Sequence, residues 1–306
     1  MSARAGRGRE LALLALLAML WGSSYLFLKI AVTEIPPLTV IAIRVSIAAL
    51  VLMTVLAVRG ERLPRDIATW RMLFVQSFFT SIGAWTILAW GAQYVESSLA
   101  SVLNSTSPIF VFFITLIVTR HESVGLLRFT GACLGLAGVV LIVGVDALQG
   151  LGQQVAGQLA AVTGAILYAC AAIYGGRFAH MSSPVIAAGT MVAATAVLVP
   201  VSVIVDRPWT LDPSTAAIVS AVTLGVFSTG LALLIYFRLV RTLGSLGVAS
   251  QSYLRAGIGV LLGVAFLGER MDAVVAIGLA AAVLGVALIN APVSGFLRRS
   301  AHRPVA

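Results

Sequence analysis

The 306 residues are 60% hydrophobic and 10% charged, with a mean hydropathy of +1.05. A soluble domain carries about 25% charge, so this chain is built for lipid. Its formal charge of +9 sits between apolar runs rather than on one amphipathic element. That distribution excludes nucleic acid as the expected partner and points to a bilayer.

In chain order, a tail at 1–10 holds Arg4, Arg7 and Arg9 ahead of LALLALLAML. The order is that of a signal peptide, but the apolar run continues through Trp21 and Tyr25 to Ile30, long enough to span. It reads as an uncleaved first helix, 11–30. Further apolar runs predict helices at 38–58, 70–92, 97–118 and 127–145, then at 157–177, 184–205, 215–237, 247–267 and 273–291. Breakers such as Pro36-Pro37, Arg59-Gly60, Ser183-Pro184 and Asp212-Pro213 punctuate the connectors. A basic tail, 292–306, closes the chain.

The second half repeats the first. Glu122, Gly131, Gly138, Val139, Leu141 and Ile142 recur 147 positions later as Glu269, Gly278, Gly285, Val286, Leu288 and Ile289. The same offset pairs Pro37 with Pro184, Ser81 with Ser228, Gly83 with Gly230 and Ser98 with Ser245. Residues 11–146 and 155–291 therefore read as two copies of one unit. Fifteen arginines fall in connectors and tails on the side of the N-terminus, against Arg207 and Arg270 on the other. Both termini are expected in the cytoplasm. Five helices per copy is odd, so the expected fold is an all-α membrane protein of ten transmembrane helices in two inverted five-helix repeats. In such folds substrate binds near the midplane and access alternates.

On W-G-S-S-Y at 21–25 with Lys29, Pro37 with Arg44, Pro108, and the Glu122 and Glu269 ends, the chain resembles the EamA-type ten-helix members of the drug/metabolite transporter superfamily. The resemblance spans about residues 11–291. It implies a bacterial inner-membrane exporter of small metabolites, amino acids among them. It also implies a central cavity lined by helices 1, 3, 4, 6, 8 and 9, with helices 5 and 10 as packing elements. One departure stands out: the family places proline in both helix 4 and helix 9, and here the repeat partner of Pro108 is Arg255.

Arg255 lies near the middle of helix 9, where an arginine costs roughly 2.5–3.5 kcal/mol on insertion scales. No Asp or Glu lies mid-span, so a substrate anion, backbone carbonyls or water must satisfy it; capping a broken neighbouring helix is the structural alternative. Trp21 pairs by offset with Tyr168, and Asn104 with Gln251. With Tyr25, Thr80, Trp85, Ser228 and Tyr253 they form a polar-tipped set suited to small amphipathic solutes; packing explains each one singly. Trp90 and Tyr94 read as interface anchors. Lys29 and Arg44 read as snorkelling to outer headgroups or to Glu34, with an outer gate or substrate vestibule as the alternative, and Glu122 and Glu269 read as helix-dipole partners.

Cys133 and Cys170 read as small packing residues, and the histidines fall in connectors or the tail. Gly131-x3-Gly135 and Gly278-x3-Ala282 permit close helix approach, within a protomer or across a homodimer. No zinc, Walker, serine-hydrolase or acidic-cluster motif is present, so neither enzyme nor cofactor is expected. The leading expectation is a secondary transporter exporting small amphipathic metabolites. A carrier or exchanger of organic or phosphorylated anions through Arg255 is the second, and a lipid-handling enzyme or flippase the third.

Overall fold

The computed structural model describes residues 2–91, 102–118, 125–144, 154–258 and 273–291, with single positions 94, 148 and 151 between them. The side chains of residues 2–7, 25, 26 and 29 lie outside that description, as do Glu122, Glu269, Arg270 and the C-terminal tail. The described residues are helical and contain no strand. They form α1 (Ser2–Val32), α2 (Pro37–Arg59), α3 (Ile67–Gly91), α4 (Ser107–Val118) and α5 (Leu126–Val143). Then come α6 (Val155–Gly175), α7 (Ser183–Asp206), α8 (215–243), α9 (245–258) and α10 (Ala273–Ile289). Six stretches are long and apolar enough to cross a membrane, and Val102–Ile117 and Ala273–Ile289 are shorter apolar helices. The protein is a multi-pass membrane protein.

Local chemistry sets the helix ends. Pro37 opens α2 at a position whose N–H has no intrahelical partner, and Gly60 closes it at φ 66°. Asp66, Ser182 and Ser214 accept backbone N–H bonds at the starts of α3, α7 and α8. The α8–α9 boundary differs from the sequence expectation. In place of a polar loop after residue 237, helix continues to 243, and Gly244 alone (φ 77°, ψ 175°) turns the chain. Only glycine adopts that conformation without strain, so no loop composition announces the turn. Likewise α1 begins at Ser2 rather than at residue 11, and Glu10 on it is tied to Arg238 of α8.

The closest helix pair is α5 with α10. A Cβ on Gly131 would stand 2.8 Å from Gly285 O, and one on Gly278 would stand 2.9 Å from Gly138 O. Leu288 and Ile289 flank the first crossing as Leu141 and Ile142 flank the second. Each contact is the other shifted by the repeat offset, and the two helices run antiparallel. Both glycine motifs are thus used within one protomer. Bare glycine faces let the backbones approach and gain dispersion contact that lipid cannot supply between bulkier helices. The pair α2 and α7 is also antiparallel: Asp206 Oδ2 accepts from Thr39 N (2.9 Å) and Thr39 Oγ1 (2.7 Å), beside Ser202.

Two interruptions also recur. A π-helical turn interrupts α3 at Phe78–Ile82 and α8 at Val226–Leu231. Turns at 105–106 precede α4, so Pro108 lies in its first turn and breaks no ladder bond. Ser250 interrupts α9 one position before Gln251. Large side chains such as Leu50 (70% exposed) and Ile117 (72%) face outward, toward lipid.

Candidate functional site

Four helices meet at the π-turn of α8. Such a turn displaces the ladder so that a carbonyl can face a neighbouring helix. Ser228 O accepts from Trp21 Nε1 of α1 at 2.9 Å and from Arg44 Nη2 of α2 at 3.2 Å. Arg44 Nε donates to Thr229 Oγ1 at 2.6 Å, and that hydroxyl donates to Leu224 O at 2.9 Å. The Arg44 guanidinium lies 4.1 Å from the Trp85 ring centroid on α3. Trp21 in turn stacks at a tilt on Tyr236, with centroids 5.6 Å apart. Arg44 is only 9% exposed. Its desolvation is offset by charge-assisted hydrogen bonds and by the face of Trp85.

Arg44 therefore does not reach for headgroups or Glu34, as its distance from the helix end suggests. Glu34 instead accepts from Ser214 N and Oγ. The expectation for Arg44 differs from the structure in the direction of its side chain. Its nearness to the polar Ser228-Thr229 pair was the missing signal, invisible without the fold.

Of the predicted residues, Trp21, Trp85 and Ser228 meet at this turn, Ser228 through its carbonyl rather than its hydroxyl. Thr80 is buried in the matching turn of α3, where its hydroxyl donates to Gln76 O. Arg255 and Gln251 belong to α9. The Arg255 stem runs along Gly22 of α1, its Cγ 3.4 Å from where a glycine Cβ would stand. Gln251 and Asn104 are 9% and 5% exposed, and among the described residues Gln251 Oε1 and Asn104 Oδ1 receive no hydrogen bond. Tyr168 is half-buried on α6. The side chain of Tyr25 lies outside the described residues.

Tyr253 occupies a packing position. It is 0% exposed, its ring fills the space over Gly135 of α5, and its hydroxyl donates to Ala132 O at 2.9 Å. Cys133 departs from its expected role as a packed residue. It is exposed on α5, beside an apolar groove of about 480 Å³ lined with Ile109, Leu136 and Val140. Cys170 is partly buried. Trp90 and Tyr94 are exposed, their ring centroids 4.9 Å apart. Among the described residues no group of three His, Cys, Asp or Glu could hold a metal.

Carboxylates at the helix ends are held ionised. Hydrogen bonds from Arg238, then from Thr242, lower the Glu10 pKa. The Ser214 backbone and hydroxyl do the same for Glu34, and the Ser182 hydroxyl, with Arg59, for Glu61. These ties join α1 to α8, the end of α1 to the start of α8, and the α2–α3 connector to the start of α7.

A family model described as the EamA-like transporter family matches residues 9–144 and again 155–291. The uncharacterised inner membrane transporter YedA of Escherichia coli is 28% identical over 276 residues, covering 90% of this chain and 88% of its own. The uncharacterised transporter YvbV of Bacillus subtilis is 26% identical over 289 residues, 92% of each chain. A crystal structure at 20% identity superposes with a TM-score of 0.79 over 92% of this chain and 97% of that one, a likeness of fold.

Proposed function

Since the chain belongs to the EamA-like transporter family, we propose that it exports small amphipathic metabolites, amino acids among them, by alternating access. Ten membrane helices form two inverted five-helix repeats, 11–146 and 155–291, with both termini in the cytoplasm of a bacterial cell. The observation that carries this reading is the reciprocal α5–α10 crossing. Gly131 meets Gly285 as Gly278 meets Gly138, the relation a two-fold axis between antiparallel copies produces. The π-turns at matching places in α3 and α8 and the arginine bias support it as well. One half rocking on the other then exposes a shared site to each side in turn. Trp21, Trp85, Asn104, Gln251 and Arg255 offer aromatic faces, amides and one cation, a set that suits small amphipathic solutes.

The purified protein in proteoliposomes should give counterflow of labelled phenylalanine, leucine or threonine. Absence of counterflow for every amino acid, with a sugar phosphate carried instead, would replace this reading by the second one. That second reading, an organic-anion carrier, draws on Arg255 at the α1–α9 contact. It predicts that Arg255→Ala abolishes anion flux.

A further inference from the structure

Resting on the exporter reading, we infer that Gln251 and Arg255 form the head-group site for a zwitterionic substrate, the carboxamide oxygen taking its ammonium and the guanidinium its carboxylate. Helix α9 is sandwiched between α5 and α1. Tyr253 faces α5, with its ring on Gly135 and its hydroxyl on Ala132 O. Residues 251 and 255 lie two positions either side, about 200° around the helix. Both therefore turn away from α5 and share one face. That face meets α1: Arg255 lies along Gly22, the residue after Trp21. A side chain at Gly22 would take the room the arginine stem uses.

Gln251 supplies the second, independent sign. It is 9% exposed, and among the described residues its Oε1 has no donor. Burying an acceptor without a donor is destabilising, and native proteins keep such atoms rarely. Here the same unmet acceptor occurs at the same place in both halves, since Asn104 Oδ1 is buried and undonated too. Both amides adjoin the interruptions of their helices, at 105–106 and at Ser250. An amide oxygen wants an N–H donor, and an ammonium group brings three. Residues four apart on a helix stand about 5–6 Å apart at Cβ, a span that the two charged groups of an α-amino acid bridge. Asn104 Oδ1 offers the equivalent acceptor from the first half.

The test uses the full chain in proteoliposomes, with phenylalanine as the carried probe. Two competitors each lack one charged group: phenethylamine has no carboxylate, and 3-phenylpropionate has no ammonium. Gln251→Met should raise the KM for phenylalanine and the inhibition constant of phenethylamine at least about tenfold, the loss expected for a hydrogen bond to a charged group. The constant for 3-phenylpropionate should stay put. Arg255→Met should show the reverse selectivity. Because Gln251→Met removes an unmet acceptor, its thermal unfolding should come no earlier than that of the parent. Equal effects on all three compounds, no effect on any, or a destabilised Gln251→Met protein would overturn the assignment while leaving the exporter reading intact. If the parent protein carries no amino acid and binds neither competitor, the exporter reading fails and this one falls with it.

Discussion

Ser228 O is shared by two donors from different helices, and that sharing makes a measurable prediction. In the single substitution Arg44→Met both acceptors keep a partner: Ser228 O still has Trp21 Nε1, and Thr229 Oγ1 still donates to Leu224 O. The lost charged hydrogen bonds and ring contact amount to roughly 3–6 kcal/mol gross. Relief from burying a guanidinium returns several kcal/mol, so the net cost should be about 0–2 kcal/mol. Trp21→Phe alone removes one neutral hydrogen bond, about 1 kcal/mol. In the double variant neither Met nor Phe can donate, and the carbonyl of a residue that is 1% exposed loses both side-chain donors at once. That joint loss, about 1–3 kcal/mol, appears as a coupling: the pair costs more than the sum of its parts. Equilibrium unfolding in mixed micelles, followed by far-UV circular dichroism, measures all four corners of the cycle. Additivity within about 0.5 kcal/mol would refute the claim that the π-turn carbonyl is held jointly from α1 and α2.

Glycine packing gives a second test. Gly285→Ala would place a Cβ 2.6 Å from both Gly131 O and Gly135 N, backbone atoms that only helix separation can move. A loss of about 1–3 kcal/mol is expected. Gly125→Ala, with nothing within 4 Å, should be near neutral, and equal melting temperatures for the two would contradict the α5–α10 arrangement. The third concerns pH. The Glu10 pKa is held below its ordinary 4.5 by Arg238, so its contribution is present above the unfolded value and disappears as pH falls through the folded one. Screening limits it to about 1 kcal/mol or less. The stability advantage of the parent over Glu10→Gln should therefore be full well above pH 4.5 and shrink as the pH falls below it. A constant difference across that range would disprove the Glu10–Arg238 tie.

Much of the helical layout was legible because spanning a bilayer forces long apolar runs. The motifs on α5 and α10 announced close packing, although only the fold could say that they pack on each other. The junction of α1, α2, α3 and α8 was not legible. The segments FFTSI and VFSTGL have the composition of ordinary apolar helix, and nothing in them marks a π-turn. The site there is a backbone carbonyl, which no side-chain pattern reports. Hydropathy placed Arg44 and Tyr253 on apolar helices but says nothing of their azimuth. Rotation about a helix axis therefore separated the arginine assigned to headgroups from the one found on Trp85, and the tyrosine assigned to a cavity from the one found on Gly135.

The repeat offset does not carry the same donors to the candidate site of each half. At the α8 π-turn the donors are Trp21 and Arg44. The offset carries these to Tyr168 and Met191, and a methionine side chain has no N–H or O–H to donate. The α3 turn fills the same place with its own Thr80 bonded back to Gln76 O. If access alternates by exchanging the conformations of the two repeats, the exchanged state would place Tyr168 and Met191 where Trp21 and Arg44 now lock α8. It would lose the charged hydrogen bonds and the arginine–indole contact. On that mechanism the contacts of Arg44 would weigh in favour of the arrangement seen here before any substrate binds. A solute at the proposed Gln251 and Arg255 site would act at a second helix, α9, and would shift the balance only through a difference in its affinity for the two states.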